Sequence, residues 1–191
     1  MDQPEIVEDG LLLRPWRPED ADAVFRACQD PDIQRWTRVP TPYLPEHAES
    51  FVTGIAPQGW AAGTAAHFAV CDAASGSLLG SCGLVTIDRH LRSAEIGYWT
   101  APWARGQGVA VRATRALSRW AFSELDLRRI VWQAELGNHA SRLVALRAGL
   151  RIEGRLRLAD GGRDAWVGSL LPRDFERAED ADPAGGPDAT A

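Results

Sequence analysis

The chain has 191 residues, of which 45% are hydrophobic, and this is enough for one domain with a substantial core. Its formal net charge of −5 gives no reason to expect the concentrated basic surface that nucleic-acid binding requires. All 21 Lys-or-Arg positions are arginine, and the absence of lysine excludes a Walker A phosphate loop, Schiff-base chemistry and a pyridoxal phosphate anchor.

The cysteine, histidine and hydropathy patterns further restrict the classes of protein to which the chain can belong. No apolar run approaches the roughly 20 residues that span a bilayer, and the acidic N-terminus has no signal-peptide pattern. The four histidines do not cluster at metal-ligand spacing, so no metal site is expected. These patterns predict a cytoplasmic protein with no membrane or nucleic-acid partner. Three widely spaced cysteines form no disulfide framework and are predicted to be buried small apolar residues: Cys28, Cys71 and Cys82.

The first part of the chain predicts one short strand followed by helices. Residues 11–14 have the pattern of a strand, and apolar residues at helical spacing predict a helix over 21–28. The Asp-Pro pair after it is interpreted as a helix stop. Two prolines in residues 35–43 predict an irregular loop with exposed aromatic side chains. Pro45 then opens a second helix, predicted to end at about Ile55.

The middle of the chain predicts an antiparallel meander. Three strand-like runs, residues 67–72, 78–87 and 92–100, are separated by short turns. A glycine-rich connector follows, and then a helix with apolar residues on one face and arginines off it.

The last part returns to alternating elements. A strand over 129–135 leads into a helix over 139–148 with Gly149 as its stop, and a hairpin closes the domain. The order of elements predicts a mixed α/β (α+β) layer with helices on both faces of a sheet. We expect one domain over 1–175 and a disordered acidic tail over 176–191.

The glycine-rich connector is the strongest candidate for a ligand site. The first turn of a helix has unpaired N–H groups and the positive end of the helix dipole, and glycines let a phosphate approach the backbone. Such a turn can hold a pyrophosphate without lysine. A Rossmann fingerprint would require a glycine at Val111, and a connector without a ligand is the remaining alternative. The connector consists of Arg105, Gly106, Gln107, Gly108, Val109 and Ala110.

The neighbours of this connector carry a family resemblance. The pattern R-x-x-G-x-A follows Ala94-Glu95-Ile96-Gly97-Tyr98-Trp99 and precedes Asn138-His139-Ala140-Ser141 and Arg147-Ala148-Gly149-Leu150. This succession resembles the GNAT acetyltransferase superfamily, in particular the ribosomal-protein N-terminal acetyltransferase (RimJ/RimL-like) branch. The resemblance spans nearly the whole domain. It implies an acetyl-CoA-dependent N-acetyltransferase that uses no metal.

The resemblance also implies where acetyl-CoA binds. A mostly antiparallel central sheet would open into a V-shaped split between the strands at 95–100 and 129–135. The pantetheine arm would lie in that split and pair with the backbone near Trp99 and Thr100. The pyrophosphate would sit on the amides of residues 105–110. Asn138 would contact the pantetheine arm, and a plain helix-capping role is an equal alternative.

The catalytic groups follow from the same resemblance, which implies direct attack by a neutral amine on the thioester. Glu95 is the predicted general base, acting through a water, with Glu135 as its rival and an ordering role as the alternative. Many family members have a tyrosine seven residues after the asparagine, but this chain has Ala145 there. Ser141 is therefore predicted to donate to the leaving sulfur, unless its hydroxyl is satisfied by its own helix turn.

The acceptor is the least determined part. A peptide α-amine has a pKa of about 8 and a lysine side chain one of about 10.4, so the α-amine needs less help from a base. A protein N-terminus is the predicted acceptor. A small amine (amino sugar, polyamine or antibiotic) or a CoA-binding module without catalysis are the alternatives. Trp36 and Tyr43 are predicted to shape the acceptor pocket, with packing roles as an alternative. The oligomeric state, including a homodimer, stays open.

Overall fold

The computed structural model describes residues 3–157 and 163–174. The predicted tail at 176–191 and most of the turn of the last hairpin lie outside this part. The protein belongs to the mixed α/β class, as the sequence predicts.

One sheet organises the described residues. Its eight strands lie in the order β1-β2-β3-β4-β5-β6-β8-β7. Every neighbouring pair is antiparallel except β5 and β6, which are parallel. The strands are β1 (Ile6–Glu8), β2 (Leu11–Arg14), β3 (Ala66–Asp72), β4 (Leu78–Asp88), β5 (Ser93–Thr100), β6 (Arg129–Glu135), β7 (Arg151–Leu156) and β8 (Ala165–Leu170).

Six α-helices flank the sheet within residues 3–157. They are α1 (Ala21–Ala27), α2 (Pro31–Trp36), α3 (Pro45–Ser50), α4 (Ala56–Ala62), α5 (Val109–Glu124) and α6 (His139–Arg147). A π-helical turn over Phe51–Ile55 joins α3 to α4, so the predicted second helix continues beyond Ile55 to Ala62.

The segment around Asp30 corrects the predicted stop and loop. The Asp30 carboxylate accepts hydrogen bonds from the amides of Asp32 and Ile33, both at 3.0 Å. Pro31 occupies the first helical position, where the missing N–H has no cost. The Asp-Pro pair therefore starts α2 rather than only ending α1, and the predicted irregular loop begins after Trp36. The short strand β1 was also not predicted.

Helices lie on both faces of the sheet, as predicted, because each strand alternates its side chains between two hydrophobic clusters. On β3, Phe68 belongs to the cluster under α5 and α6, whereas Cys71 belongs to the cluster under α1, α2 and α3. Leu117 of α5 and Val24 of α1 are buried at the centres of these two layers. Cys28, Cys71 and Cys82 are all buried and unpaired, which confirms their predicted role as small apolar residues.

A buried ion pair fixes the connection between β2 and α1. Arg14 donates to both carboxylate oxygens of Asp20 at 2.7 Å, and both side chains are 7% exposed. The amide of Arg17 donates to the same carboxylate at 2.9 Å. The paired charges thus replace most of the hydration that burial removes.

We expect Asp20→Ala to lower the free energy of unfolding by about 3–5 kcal/mol, because it leaves the buried Arg14 cation without its partner. Arg17→Ala is the control, since its ion pair with Glu5 is about half exposed and such pairs contribute at most about 1 kcal/mol. Urea denaturation of both variants measures the difference. Equal unfolding midpoints for the two variants would show that the buried pair is not stabilising.

Candidate active site

The two central strands β5 and β6 diverge, and this creates the predicted split. They pair at only three positions, Ser93 with Arg129, Ala94 with Ile130, and Glu95 with Val131. Beyond Glu95, the side of β5 that faces β6 has no strand partner in the described part of the chain, although β4 pairs with its other side as far as Thr100. The unpaired backbone at Trp99 and Thr100 lies where the sequence predicted contact with an extended ligand.

Strand alternation places the site residues on two faces. Ala94, Ile96 and Tyr98 of β5 pack on the α5 side of the sheet. Glu95 therefore points to the opposite face, together with Trp99, which packs on the α1 side. The split is thus flanked by a carboxylate on one face of the sheet and a phenol on the other.

The glycine-rich connector forms an open turn at the start of α5. Gly106 and Gly108 have φ angles of 77° and 70°, in the left-handed region that favours glycine. A Cβ atom at either position would meet nothing within 4 Å. The first backbone bond of α5 runs from the Arg112 amide to the Gly108 carbonyl, at 3.1 Å. The amides at the start of α5 are therefore available to an anion, as the sequence predicted.

The arginine of this connector, Arg105, is already engaged in ion pairs. The Arg105 guanidinium donates to the two carboxylate oxygens of Asp30 at 2.5 and 3.2 Å and lies 3.6 Å from Asp32. Burial works against the charge of Asp30, but Arg105 and two backbone N–H groups outweigh it and lower the pKa of the carboxyl. Because Arg105 is paired in this way, a phosphate at this turn would meet backbone amides rather than the Arg105 side chain.

Asn138 caps α6, as predicted. Its carboxamide oxygen accepts a hydrogen bond from the Ser141 amide at 3.1 Å. The cap uses the oxygen and leaves the amide NH₂ group for a ligand. The capping role is confirmed, and the pantetheine contact stays a prediction.

The Ser141 hydroxyl has partners outside its own helix. It does not bond to its own helix turn; it contacts Trp132 Nε1 and the Tyr98 hydroxyl, each at 3.1 Å. Tyr98 also donates to the Ser141 carbonyl at 3.0 Å. Ala145, at the position of the family tyrosine, is fully buried in the core. Neither Tyr98 nor Trp132 was predicted as a site residue, although alternation from Glu95 puts Tyr98 on the α6 side.

Helix α2 lies against the carboxyl end of β6. The Arg35 guanidinium is 3.8 Å from Glu135 Oε2 and stacks 4.5 Å above the Trp36 ring. A Cβ atom at Gly137 would lie 3.6 Å from that ring. Trp36 is therefore half-buried beside the end of the split, which is compatible with its predicted place at the acceptor.

Tyr43 corrects one prediction. Its side chain is only 5% exposed and packs in the cluster under α1, so the expectation of an exposed aromatic residue is wrong here. Burial raises the pKa of its phenol. Tyr43 therefore packs beneath its loop, and its burial does not favour direct contact with an acceptor.

The two candidate bases differ in their partners. Arg35 and Arg163 each lie 3.8 Å from Glu135 Oε2, a buried atom that accepts no hydrogen bond from the described residues. Glu95 is half-buried, and no hydrogen bond or ion pair engages its carboxylate among residues 3–157 and 163–174. Glu95 is thus the candidate base that has no arginine beside it in the described part of the chain.

Neither a metal cluster nor a membrane span is found in the part of the chain that the structure describes. No group of three or more His, Cys, Asp or Glu side chains there could hold a metal ion. No helix there combines the length and apolar character needed to cross a bilayer.

Comparison with known proteins gives one family match and several relatives. Residues 10–151 match the family model described as an acetyltransferase (GNAT) domain. The Bacillus subtilis protein YdaF, whose assignment as a ribosomal N-acetyltransferase is itself provisional, is 41% identical over 107 residues, 53% of this chain and 57% of YdaF. The ribosomal-protein-serine acetyltransferase of Escherichia coli is 36% identical over 89 residues, 47% of this chain and 50% of the relative. The chain thus spans about half the length of these two relatives.

Solved structures share the fold. The structure of RimL, a ribosomal L7/L12 α-N-protein acetyltransferase in complex with coenzyme A, superposes with a TM-score of 0.79 and 22% sequence identity. The superposition covers 88% of this chain and 98% of RimL. At this level of identity the similarity establishes the fold.

The open turn at Gly108 generates a test with a matched control. Gly76, in the β3–β4 turn, has φ of 71° and equally open surroundings. Alanine at either position should cost about 1–2 kcal/mol of stability through left-handed backbone strain. Only Gly108→Ala adds a methyl group where the pyrophosphate is expected, so we expect its dissociation constant for CoA to rise at least about tenfold while that of Gly76→Ala stays unchanged. Urea denaturation and calorimetric titration measure the two effects, and equal CoA affinity of the two variants would remove the pyrophosphate from this turn.

Proposed function

Because the chain belongs to the GNAT acetyltransferase family, we propose that it transfers the acetyl group of acetyl-CoA to the α-amine at a protein N-terminus. The observation that carries the proposal is the split between β5 and β6, with the unengaged Glu95 carboxylate on one face and the Ser141 hydroxyl on the other. The names of the E. coli relative and of RimL, both acetyltransferases of ribosomal proteins, support this acceptor class.

Acetyl-CoA would enter from the α5–α6 face. Its pyrophosphate is expected on the amides of the 105–110 turn, and its pantetheine arm would pair with the unpaired backbone of β5 at Trp99 and Thr100. The Asn138 amide group, free of the cap, would donate to the same arm. The thioester would then lie at the point where β5 leaves β6, between the two faces.

The acceptor would approach from the face of Glu95. The amine would bind in its neutral form, since only the neutral amine is a nucleophile, and Glu95, through a water, would take the proton that the nitrogen loses once the C–N bond has formed. Backbone N–H groups on the unpaired edge of β5 would donate to the oxyanion of the tetrahedral intermediate. As the C–S bond breaks, the electron pair moves to sulfur, and the Ser141 hydroxyl donates a hydrogen bond to the thiolate.

Helix α2 and the end of β6 would bound the acceptor. Trp36 offers a flat apolar surface there, and Arg35 together with Glu135 offers both charges to a peptide backbone. A ribosomal acceptor would place the reaction in the cytoplasm. A homodimer, with two such sites, is compatible with the proposal but not required by it.

Free-thiol release from acetyl-CoA against matched acceptors tests the function. The panel would contain one peptide with a free N-terminus, the same peptide with that terminus acetylated and an internal lysine added, a polyamine and an aminoglycoside. We expect release with the free N-terminus only. Release with the small amines alone would replace the acceptor class, and silence across a broad panel of N-terminal sequences despite CoA binding would favour a non-catalytic module.

The assignment of the base has its own prediction. Glu95→Gln should lower kcat at least about 100-fold, the usual contribution of a general base, with CoA affinity unchanged. Glu135→Gln is the matched control, because the Glu135 carboxylate has two arginines 3.8 Å away whereas Glu95 has none among the described residues, and its kcat should change much less. Steady-state kinetics with calorimetric CoA titration measures both. The reverse order of effects would transfer the role of base to Glu135.

A further inference from the structure

The Ser141 hydroxyl sits in a network that the family resemblance does not include. Its oxygen lies 3.1 Å from Trp132 Nε1 and 3.1 Å from the Tyr98 hydroxyl oxygen. Trp132 is 1% exposed on β6, and Tyr98 packs against the same core cluster from β5. Two residues on the two diverging strands thus converge on one hydroxyl at the start of α6.

The two hydroxyl protons of this network can be arranged in two ways, which define two hydrogen-bonding states. An indole N–H only donates, so Trp132 always occupies one lone pair of Ser141 Oγ. In the first state, Tyr98 donates to the Ser141 carbonyl, 3.0 Å away, and Ser141 donates to the Tyr98 oxygen. In the second, Tyr98 turns its proton to Ser141 Oγ. Both lone pairs of Oγ are then occupied, and the serine proton is free to point into the split.

The second state loses little in hydrogen bonding. The Ser141 carbonyl lies inside α6, and the helix continues to Arg147, so its helical partner four residues on remains when Tyr98 turns away. Burial raises the pKa of the Tyr98 phenol. Tyr98 therefore stays neutral and keeps the proton that it shares with Ser141.

We propose that Tyr98 and Trp132 are positioning residues that direct the Ser141 hydroxyl proton toward the sulfur of the departing CoA. The inference rests on the proposed function, which makes Ser141 the donor to that sulfur. When the C–S bond of the tetrahedral intermediate breaks, its electron pair goes to sulfur and the C=O bond re-forms. Ser141 donates a hydrogen bond to the thiolate, Tyr98 donates one to Ser141, and neither gives up its proton. The thiolate takes its proton from water after release.

Tyr98→Phe tests the proposal, because it removes one hydroxyl and keeps the buried ring. We expect kcat to fall about tenfold, the effect of one hydrogen bond, with KM and the dissociation constant for acetyl-CoA within about twofold of wild type. The pH–rate profile should keep its shape at a lower plateau, since a neutral Tyr98 does not titrate in it. Loss of an alkaline limb in Tyr98→Phe would show that Tyr98 donates its proton, and it would overturn the positioning role.

A double-mutant cycle separates positioning from a purely structural role. Ser141→Ala should lower kcat at least about tenfold, as expected for a hydrogen bond to a charged atom. Adding Tyr98→Phe to Ser141→Ala should have no further effect on kcat, because Tyr98 acts through the missing hydroxyl. Additive effects of the two changes would contradict the proposal. Trp132→Phe should behave as Tyr98→Phe does, provided that urea denaturation shows it folded; Tyr98→Phe decides the question if it is not.

A control variant and the pattern of results distinguish a failure of the positioning role from a failure of the chemistry proposed for Ser141. Ser118→Ala removes a buried α5 hydroxyl that has no hydrogen-bond partner among the described residues, and its kcat should equal that of wild type. A wild-type rate for Ser141→Ala would remove Ser141 from the proposed chemistry and this inference with it. A slow Ser141→Ala beside a wild-type rate for Tyr98→Phe would overturn the inference alone and leave the proposed function standing.

Discussion

The site depends on the separation of β5 from β6. Two parallel strands that stayed side by side would satisfy their facing backbone N–H and C=O groups by hydrogen bonds to each other. Strands β5 and β6 pair at three positions and then separate. The strands beyond the opening are held from outside, β5 by β4 and β6 by β8. Each strand can therefore leave the other without losing its place in the sheet. The unpaired backbone between them is polar and extended, which suits a ligand arm that carries amides.

The sheet also separates the chemistry by face. Strand alternation gives Glu95 to the layer of α1 and α2, and it gives Tyr98 and Trp132 to the layer of α5 and α6. An acceptor and a cofactor that enter from opposite faces meet only at the split. The pairing of Arg105 with Asp30 links these layers, because it joins the turn before α5 to the cap of α2.

The elements with strong local patterns were predictable from sequence. The meander β3 to β5, strand β6 and the Asn138 cap each follow from short-range rules, and the structure confirms them. Asp30 and Pro31 show the limit of those rules, since the same two residues can end one helix and begin the next. Whether they also begin a helix depends on whether the next turn can bury an apolar side chain in the core. Here Ile33 does so, since it is 3% exposed in the cluster under α1, α2 and α3.

The site was predictable as far as single residues carry a family pattern. The glycine turn and Ser141 stand in such a pattern, but the contact between Tyr98 and Ser141 spans 43 positions and depends on how two strands and a helix converge. No local rule gives that distance. The burial of Tyr43 also depends on tertiary packing. Its proline-rich loop looks polar in sequence, but the Tyr43 ring packs in the core.

The three-pair junction between β5 and β6 divides the sheet into two parts. Strands β1 to β5 form one ribbon and β6 to β8 another, and a short seam of main-chain contacts joins them. A cofactor arm lying in the opening would bridge both ribbons and lengthen that seam. Amide hydrogen exchange along the inner edges of β5 and β6 would then report occupancy directly, since the bound arm would cover amides that have no strand partner in the free protein.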